Sequence, residues 1–226
     1  MTDGAYKLLA WFSPTMPIGA YSYSHGLEYA VEAGLVTDAP ALGNYVETAL
    51  RHGTGRLDAS LLCAAYRASR EGCALADIVT LAAAMRGTAE LALESAAQGR
   101  ALLMLLRQAW PAAPLDALAA LCRQHEVEPP HAVVAGVACA AHELPMQPST
   151  VAFLHGFAAN LISAGLRLIP LGQTDGQRLT AALEDTIRAV AADALAASLD
   201  DLGTASPMID LCAIGHETQY TRLFRS

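Results

Sequence analysis

Cys139 and His142 stand three residues apart, a spacing that puts a thiol and an imidazole on one helical face with Glu143 beside them. A metal site needs three or four such ligands converging. Together with His216 this pair outlines a helical metalloenzyme or metal-storage protein, and nothing more complete is present. The competing reading, a small buried cysteine and a helix-terminal histidine favoured by the macrodipole, is preferred. His216 and Glu217 are merely adjacent, and solvation accounts for them more simply. Cys63, Cys73, Cys122, Cys139 and Cys212 form an odd set without a CxxC pair, which argues against a disulfide framework and a structural zinc site and fits a reducing cytoplasm. There is no GxxxxGK[ST] phosphate loop, no GxGxxG after a strand, no GxSxG elbow and no HExxH pair. No catalytic residue and no metal ligand is therefore assigned, no cofactor is expected, and the chain reads as a binding protein.

Two other constellations bear on binding. Arg86, Glu90 and Glu94 follow at intervals of four, with Gln98 extending the row and Arg100 nearby, so a continuous helix would carry them on one face. Glu90, Glu94 and Arg100 then suggest a recognition surface or a polar passage; an ordinary solvated face with i, i+4 pairs is the preferred alternative. The C-terminus departs from the usual drift into small polar residues. It ends with Tyr220, Leu223 and Phe224 interleaved with Arg222 and Arg225, the residue types that dominate interface hot spots. Binding a partner and docking back on the chain's own helices stand even.

The elements that must position these groups are helices. The chain of 226 residues is rich in Ala and Leu and poor in β-branched and aromatic types, which favours helix over strand throughout. The expectation is an all-α fold, a single-domain bundle of roughly eight to ten helices over residues 1–226 without significant sheet, and a partner-binding tail at about 203–226. A first helix over about Tyr6–Phe12 stops at Ser13-Pro14 and Pro17-Ile18-Gly19. Ser22 or Ser24 caps a second, ending at Gly34, and Asp38 with Pro40 opens a third. A fourth closes at Gly72. The stretch from Leu75 to Trp110 is one long helix or two broken ones, with Gly87 and Gly99 as weak points. Short helices follow over Leu115–Gln124 and from Pro129-Pro130 to Glu143. The apolar run Val151–Ile169 carries His155, Asn160, Ser163 and Arg167, so it reads as a core helix and not a membrane span. Thr174 and Gln177 resemble a capping box, and beyond Asp200 the periodicity fades.

Hydrophobic residues make up 54% of the chain, and the net charge of −8 opposes nonspecific nucleic-acid binding. The N-terminus shows no signal-peptide pattern.

Four ordered blocks resemble the urease accessory protein UreF family over nearly the whole chain. They are Ser13-Pro14 through Pro17-Ile18-Gly19-Ala20-Tyr21-Ser22-Tyr23-Ser24-His25-Gly26-Leu27-Glu28; Glu90-Leu91 through Glu94 with Gly99-Arg100; Ala164-Gly165-Leu166-Arg167-Leu168-Ile169-Pro170-Leu171-Gly172-Gln173; and the closing His216 to Ser226. Arg167 departs from the lysine of many members, and the two cations are not interchangeable at a bidentate contact. The resemblance implies an all-α homodimer in the cytoplasm that bridges the UreD (also called UreH) accessory protein and the UreG GTPase and engages apo-urease, with nickel handled by the assembly. A helical nickel-binding or metal-storage protein is the alternative. Three patches are expected to meet partners: the tail residues Tyr220, Arg222, Leu223, Phe224 and Arg225; the block of Tyr21, Ser22, His25 and Glu28; and the turn carrying Arg167, Gln173 and Gln177.

Overall fold

The computed structural model describes residues 3–72 and 74–226, so Cys73 and the first two positions lie outside it. Among the described residues every regular element is helical. The all-α expectation holds, with more helices than the eight to ten anticipated.

The first helix, α1 (Asp3–Trp11), gives way to the proline-containing loop and a 3-10 turn at Ala20–Ser22. Neither Ser22 nor Ser24 is the cap of α2 (Leu27–Glu32), whose N-cap is Gly26. The start of α3 (Ala39–Arg51) is as expected: the Asp38 carboxylate accepts from the Ala41 N–H at 2.8 Å, and Pro40 sits in the first turn. Next come α4 (Thr54–Glu71) and α5 (Leu75–Ala84). The long stretch does break near Gly87, because Thr88 caps a new helix, α6 (Ala89–Ala109), by accepting from the Leu91 N–H at 3.2 Å. Arg86 therefore lies outside the helix that carries Glu90 and Glu94. Gly99 does not interrupt α6. A Cβ there would stand 1.8 Å from the Pro129 carbonyl oxygen, so its absence lets the neighbouring chain close on the helix.

The second half comprises α7 (Ala113–Gln124), α8 (His131–Ala141), α9 (Met146–Leu168), α10 (Gln173–Ala182), α11 (Glu184–Ala196) and α12 (Pro207–Glu217). The expected Thr174/Gln177 box is replaced by Asp175, whose carboxylate accepts from the Gly172 N–H at 3.1 Å. In α8 every residue from Ala132 to Ala140 is buried, as a helix apolar on all sides must be. It packs along α4 and is flanked by α6 and α7, while α9 lies against α3, α4 and α11. Helix α9 is long and apolar enough to cross a bilayer by composition, yet Phe153, Leu154, Leu161 and Ile162 are buried within the protein. Each fully buried leucine of this kind contributes roughly 1.5–3 kcal/mol.

Helix α12 occupies the region where periodicity fades in the sequence. Its Ile209, Cys212, Ala213 and His216 face inward, while Met208, Leu211 and Ile214 are exposed. With apolar residues on both faces, no polar stripe marks the helical period.

Candidate functional site

The chain leaves α12 and doubles back, so that its last residues lie across the starts of α2 and α6. The approach is close because of Gly26. Its φ of +75° belongs to the left-handed region, and a Cβ would meet the Ala213 nitrogen at 2.6 Å. The glycine thus lets the start of α2 abut α12, and brings Glu28 under the tail.

Glu28, Glu90 and Glu94 are all buried, each satisfied by groups from elsewhere in the chain. His216 is fully enclosed between two of them: Nδ1 lies 2.7 Å from Glu90 Oε2, and Nε2 lies 3.0 Å from Glu28 Oε2. The solvated reading of His216 is therefore overturned, and so is the solvated face for Glu90 and Glu94. Glu90 also accepts from Arg222 Nη1 at 2.9 Å. Glu28 clamps two successive backbone amides, Leu223 N–H at 2.6 Å and Phe224 N–H at 2.9 Å. Bonds to an ionised acceptor are roughly twice as strong as neutral ones, which suits a short segment lacking regular structure.

The final residue is held equally closely. Its carbonyl accepts from Ser24 through both the backbone N–H, at 2.6 Å, and the hydroxyl, at 2.5 Å. The Ser226 hydroxyl donates to Glu94 Oε2 at 3.0 Å, and the Arg225 N–H donates to the Ser22 carbonyl at 2.8 Å. Glu94 also receives Gln98 Nε2 at 2.9 Å and His25 Nδ1 at 3.0 Å. Burial disfavours charge on both partners of that last pair. Their mutual attraction and hydrogen bond prevail, raising the His25 pKa; with the Ser226 bond they lower that of Glu94. His25 has a positive φ of 58° and gives its carbonyl to the Tyr45 hydroxyl at 2.7 Å.

Arg167, at the end of α9, joins the patches. Its guanidinium lies 3.5 Å from the Tyr21 ring centroid and 4.3 Å from that of Phe224, and Nη2 donates to the Tyr21 carbonyl at 2.9 Å. A planar cation stacks and donates in this way; a lysine ammonium would keep the charge without the plane.

Three of the sequence-predicted groups thus converge: Tyr21, Ser22, His25 and Glu28; Arg167; and the tail. Gln173 and Gln177 do not join them, being exposed on α10. Arg100 also lies apart, paired at 2.8 Å with Glu128 on an exposed surface, whereas Glu90 and Glu94 are inside the cluster. Arg86 is buried against Asp58 at 2.8 Å. The tail divides by direction, with Phe224 and Ser226 buried, Tyr220 fully exposed and Leu223 64% exposed. Sequence reasoning missed Ser24, Ser226 and Gln219, the last of which donates to Glu32. Small hydroxyls give no periodic signal, and their partners are nearly the length of the chain away.

Cys139 and His142 are packing residues in this structure. Burial raises the thiol pKa to about 12, while the His142 ring lies edge-on to Trp11 at 5.1 Å and pairs through Nε2 with the Trp110 carbonyl at 3.1 Å. Among the described residues, no group of three His, Cys, Asp or Glu is arranged to hold a metal ion.

The family model for UreF matches residues 36–184. The chain belongs to the UreF family. It is 49% identical to the urease accessory protein UreF of Bradyrhizobium diazoefficiens, over 98% of this chain and 91% of that one. It is 48% identical to the protein of the same name from Granulibacter bethesdensis, over 98% and 93%. Membership makes the chain an accessory factor of urease maturation and not an enzyme.

Proposed function

We propose that this protein is a scaffold in nickel delivery to apo-urease, working as a homodimer that bridges the UreD/UreH accessory protein and the UreG GTPase. The observation that carries this reading is the split character of the C-terminal segment. Its inward half is pinned by buried charge, while its outward half leaves Tyr220 and Leu223 exposed, and Met208, Leu211 and Ile214 are exposed at intervals of three on α12. Large apolar side chains held in fixed positions without cover favour association, because their ordering cost is already met by the fold. Nickel is the cargo in this scheme, and the nucleotide chemistry belongs to the GTPase.

Such a scaffold influences its GTPase only by binding two of its states with different affinity; equal affinity would shift nothing. The first test is assembly. Co-purification with the urease accessory proteins and urease is measured for the full chain, for a chain lacking residues 216–226, and for the double variant Tyr220→Ala, Leu223→Ala. Loss of a partner from both altered forms is expected. Full assembly by both would overturn the placement of the partner surface on the tail.

A further inference from the structure

Residues 222–226 lie on the rest of the protein as a peptide lies in a binding site. They are joined to α12 through Tyr220 and Thr221, which are exposed and, among the described residues, make no hydrogen bond. Beyond that link the contacts resume in a fixed order. Arg222 reaches Glu90, the Leu223 and Phe224 amides share Glu28, the Phe224 ring is buried beside Arg167, and Ser226 lies between Ser24 and Glu94. Burial alternates along the segment, with Leu223 and Arg225 exposed and Phe224 and Ser226 buried, the period of an extended chain. Two main-chain bonds, from the Arg225 amide to Ser22 and from the Ser24 amide to Ser226, flank Tyr23, whose φ of −123° and ψ of 136° are also extended. Peptides added to an exposed edge are recognised in this way, by backbone bonds together with pockets for alternate side chains.

The walls of this slot are held without the tail. Asn160 of α9 donates to the Tyr23 carbonyl at 3.3 Å, Arg167 to that of Tyr21, and Tyr45 of α3 to that of His25. The carboxylates also keep partners from the body of the protein: His216 for Glu28 and Glu90, and His25 and Gln98 for Glu94. Emptying the slot opens these acids to water and leaves none of them buried without a partner.

We infer that the slot is a peptide-binding site, filled in cis by residues 222–226, and that it takes in trans an extended segment of the same pattern. That pattern is an arginine for Glu90, a phenylalanine two positions on and a serine two further. The short link sets the strength required. It presents the tail at an effective concentration of about 1 mM, so a segment that stays docked must bind as a free peptide with a Kd below ~1 mM. The inference concerns the inward half of the tail and is independent of the partner surface proposed on its outward half.

The Ser24 amide, which donates to the Ser226 carbonyl, reports on occupancy. Its ¹H–¹⁵N signal is followed in the full-length protein carrying either Phe224→Asp, which opposes burial of the ring, or Leu223→Pro, which removes an amide clamped by Glu28 at a position outside the core. In both variants the signal should leave its wild-type position. A peptide of residues 218–226 should return it saturably, with half-saturation below ~1 mM, while a peptide of the same composition in scrambled order should not. Adding Glu28→Gln to either variant should weaken half-saturation about tenfold to a hundredfold, the worth of a charge-assisted bond. No saturable return, an equal return with the scrambled peptide, a Ser24 signal unmoved in both variants, or loss of the α4 and α8 signals in Leu223→Pro would overturn the inference and make the tail an inseparable part of the core.

Discussion

The two halves of α6 both turn a face inward, the first burying more residues than the second, and are held in opposite ways. In the first half Glu90, Glu94 and Gln98 face inward; Glu90 bonds to His216 and Arg222, Glu94 to His25 and Ser226, and Gln98 to Glu94. In the second, Leu102, Leu103 and Leu106 face inward and join the core against α7 and α8. Apolar cohesion is nondirectional and is lost only when the helices part. The polar half depends on His216 of α12 and on donors from the segment after it, which lacks regular structure and can exchange its bonds for water without unfolding the rest. The lower half therefore makes the fold, and the upper half makes the fold sensitive to where the tail lies.

Gly99, at the junction, gives the sharpest way to break the contrast. In Gly99→Ala the new methyl would collide with the Pro129 carbonyl, which is backbone and cannot swing aside. The α6–α8 seam must open, at a cost of about 3 kcal/mol, the upper range for overpacking. Chemical denaturation should show this as one lower midpoint for the whole molecule; an unchanged midpoint would mean that the seam is looser than described.

The polar half should respond locally and by less. Glu28→Gln keeps the size of the side chain but leaves the amides of Leu223 and Phe224 and the ring of His216 short of an ionised acceptor. The penalty is about 2 kcal/mol, typical of a lost charge-assisted bond, and is capped because the tail can detach into solvent. Hydrogen exchange should then lose protection at Leu223 and Phe224 while the amides of α4 and α8 keep theirs. Retained protection at those two positions would show that the clamp is dispensable.

This contrast also decides what could be read in the sequence. Helices with one polar face, such as α3 with its Asp38 cap, announce themselves through composition and spacing. The interval of four correctly put Glu90, Glu94 and Gln98 on one face. It gave no sign of whether that face meets water, since the answer rests on His216, Arg222 and Ser226, more than a hundred positions away. Helix α12 was hidden for a related reason: its exposed side is as apolar as its buried one, so burial and hydropathy do not alternate together. The motif blocks carried the convergence of Tyr21, Arg167 and the tail as residue types, but stacking of one guanidinium between two rings is a property of the folded chain alone.

The smallest effect separates the two halves by proton linkage. His131 begins α8, whose following residues are apolar, and its ring lies 5.3 Å from that of Phe153. Burial, aided by Arg86 and only partly offset by Asp58 and Glu94, lowers its pKa to about 4. As pH falls below the usual histidine value the unfolded chain binds a proton that the folded one refuses, so stability declines from about pH 6.5 toward 4. His25 has the opposite sign: its pKa is raised, so its contribution is complete below the ordinary value and is lost as pH climbs through the raised one. His131→Gln should remove the acid-side decline, worth about 1 kcal/mol between pH 6.5 and 5.5, while leaving the loss on the alkaline side that His25 produces. Denaturation midpoints across that range for both proteins supply the measurement. Parallel profiles would mean that His131 protonates as easily inside as outside, and that the apolar half of the molecule is wetter than its packing implies.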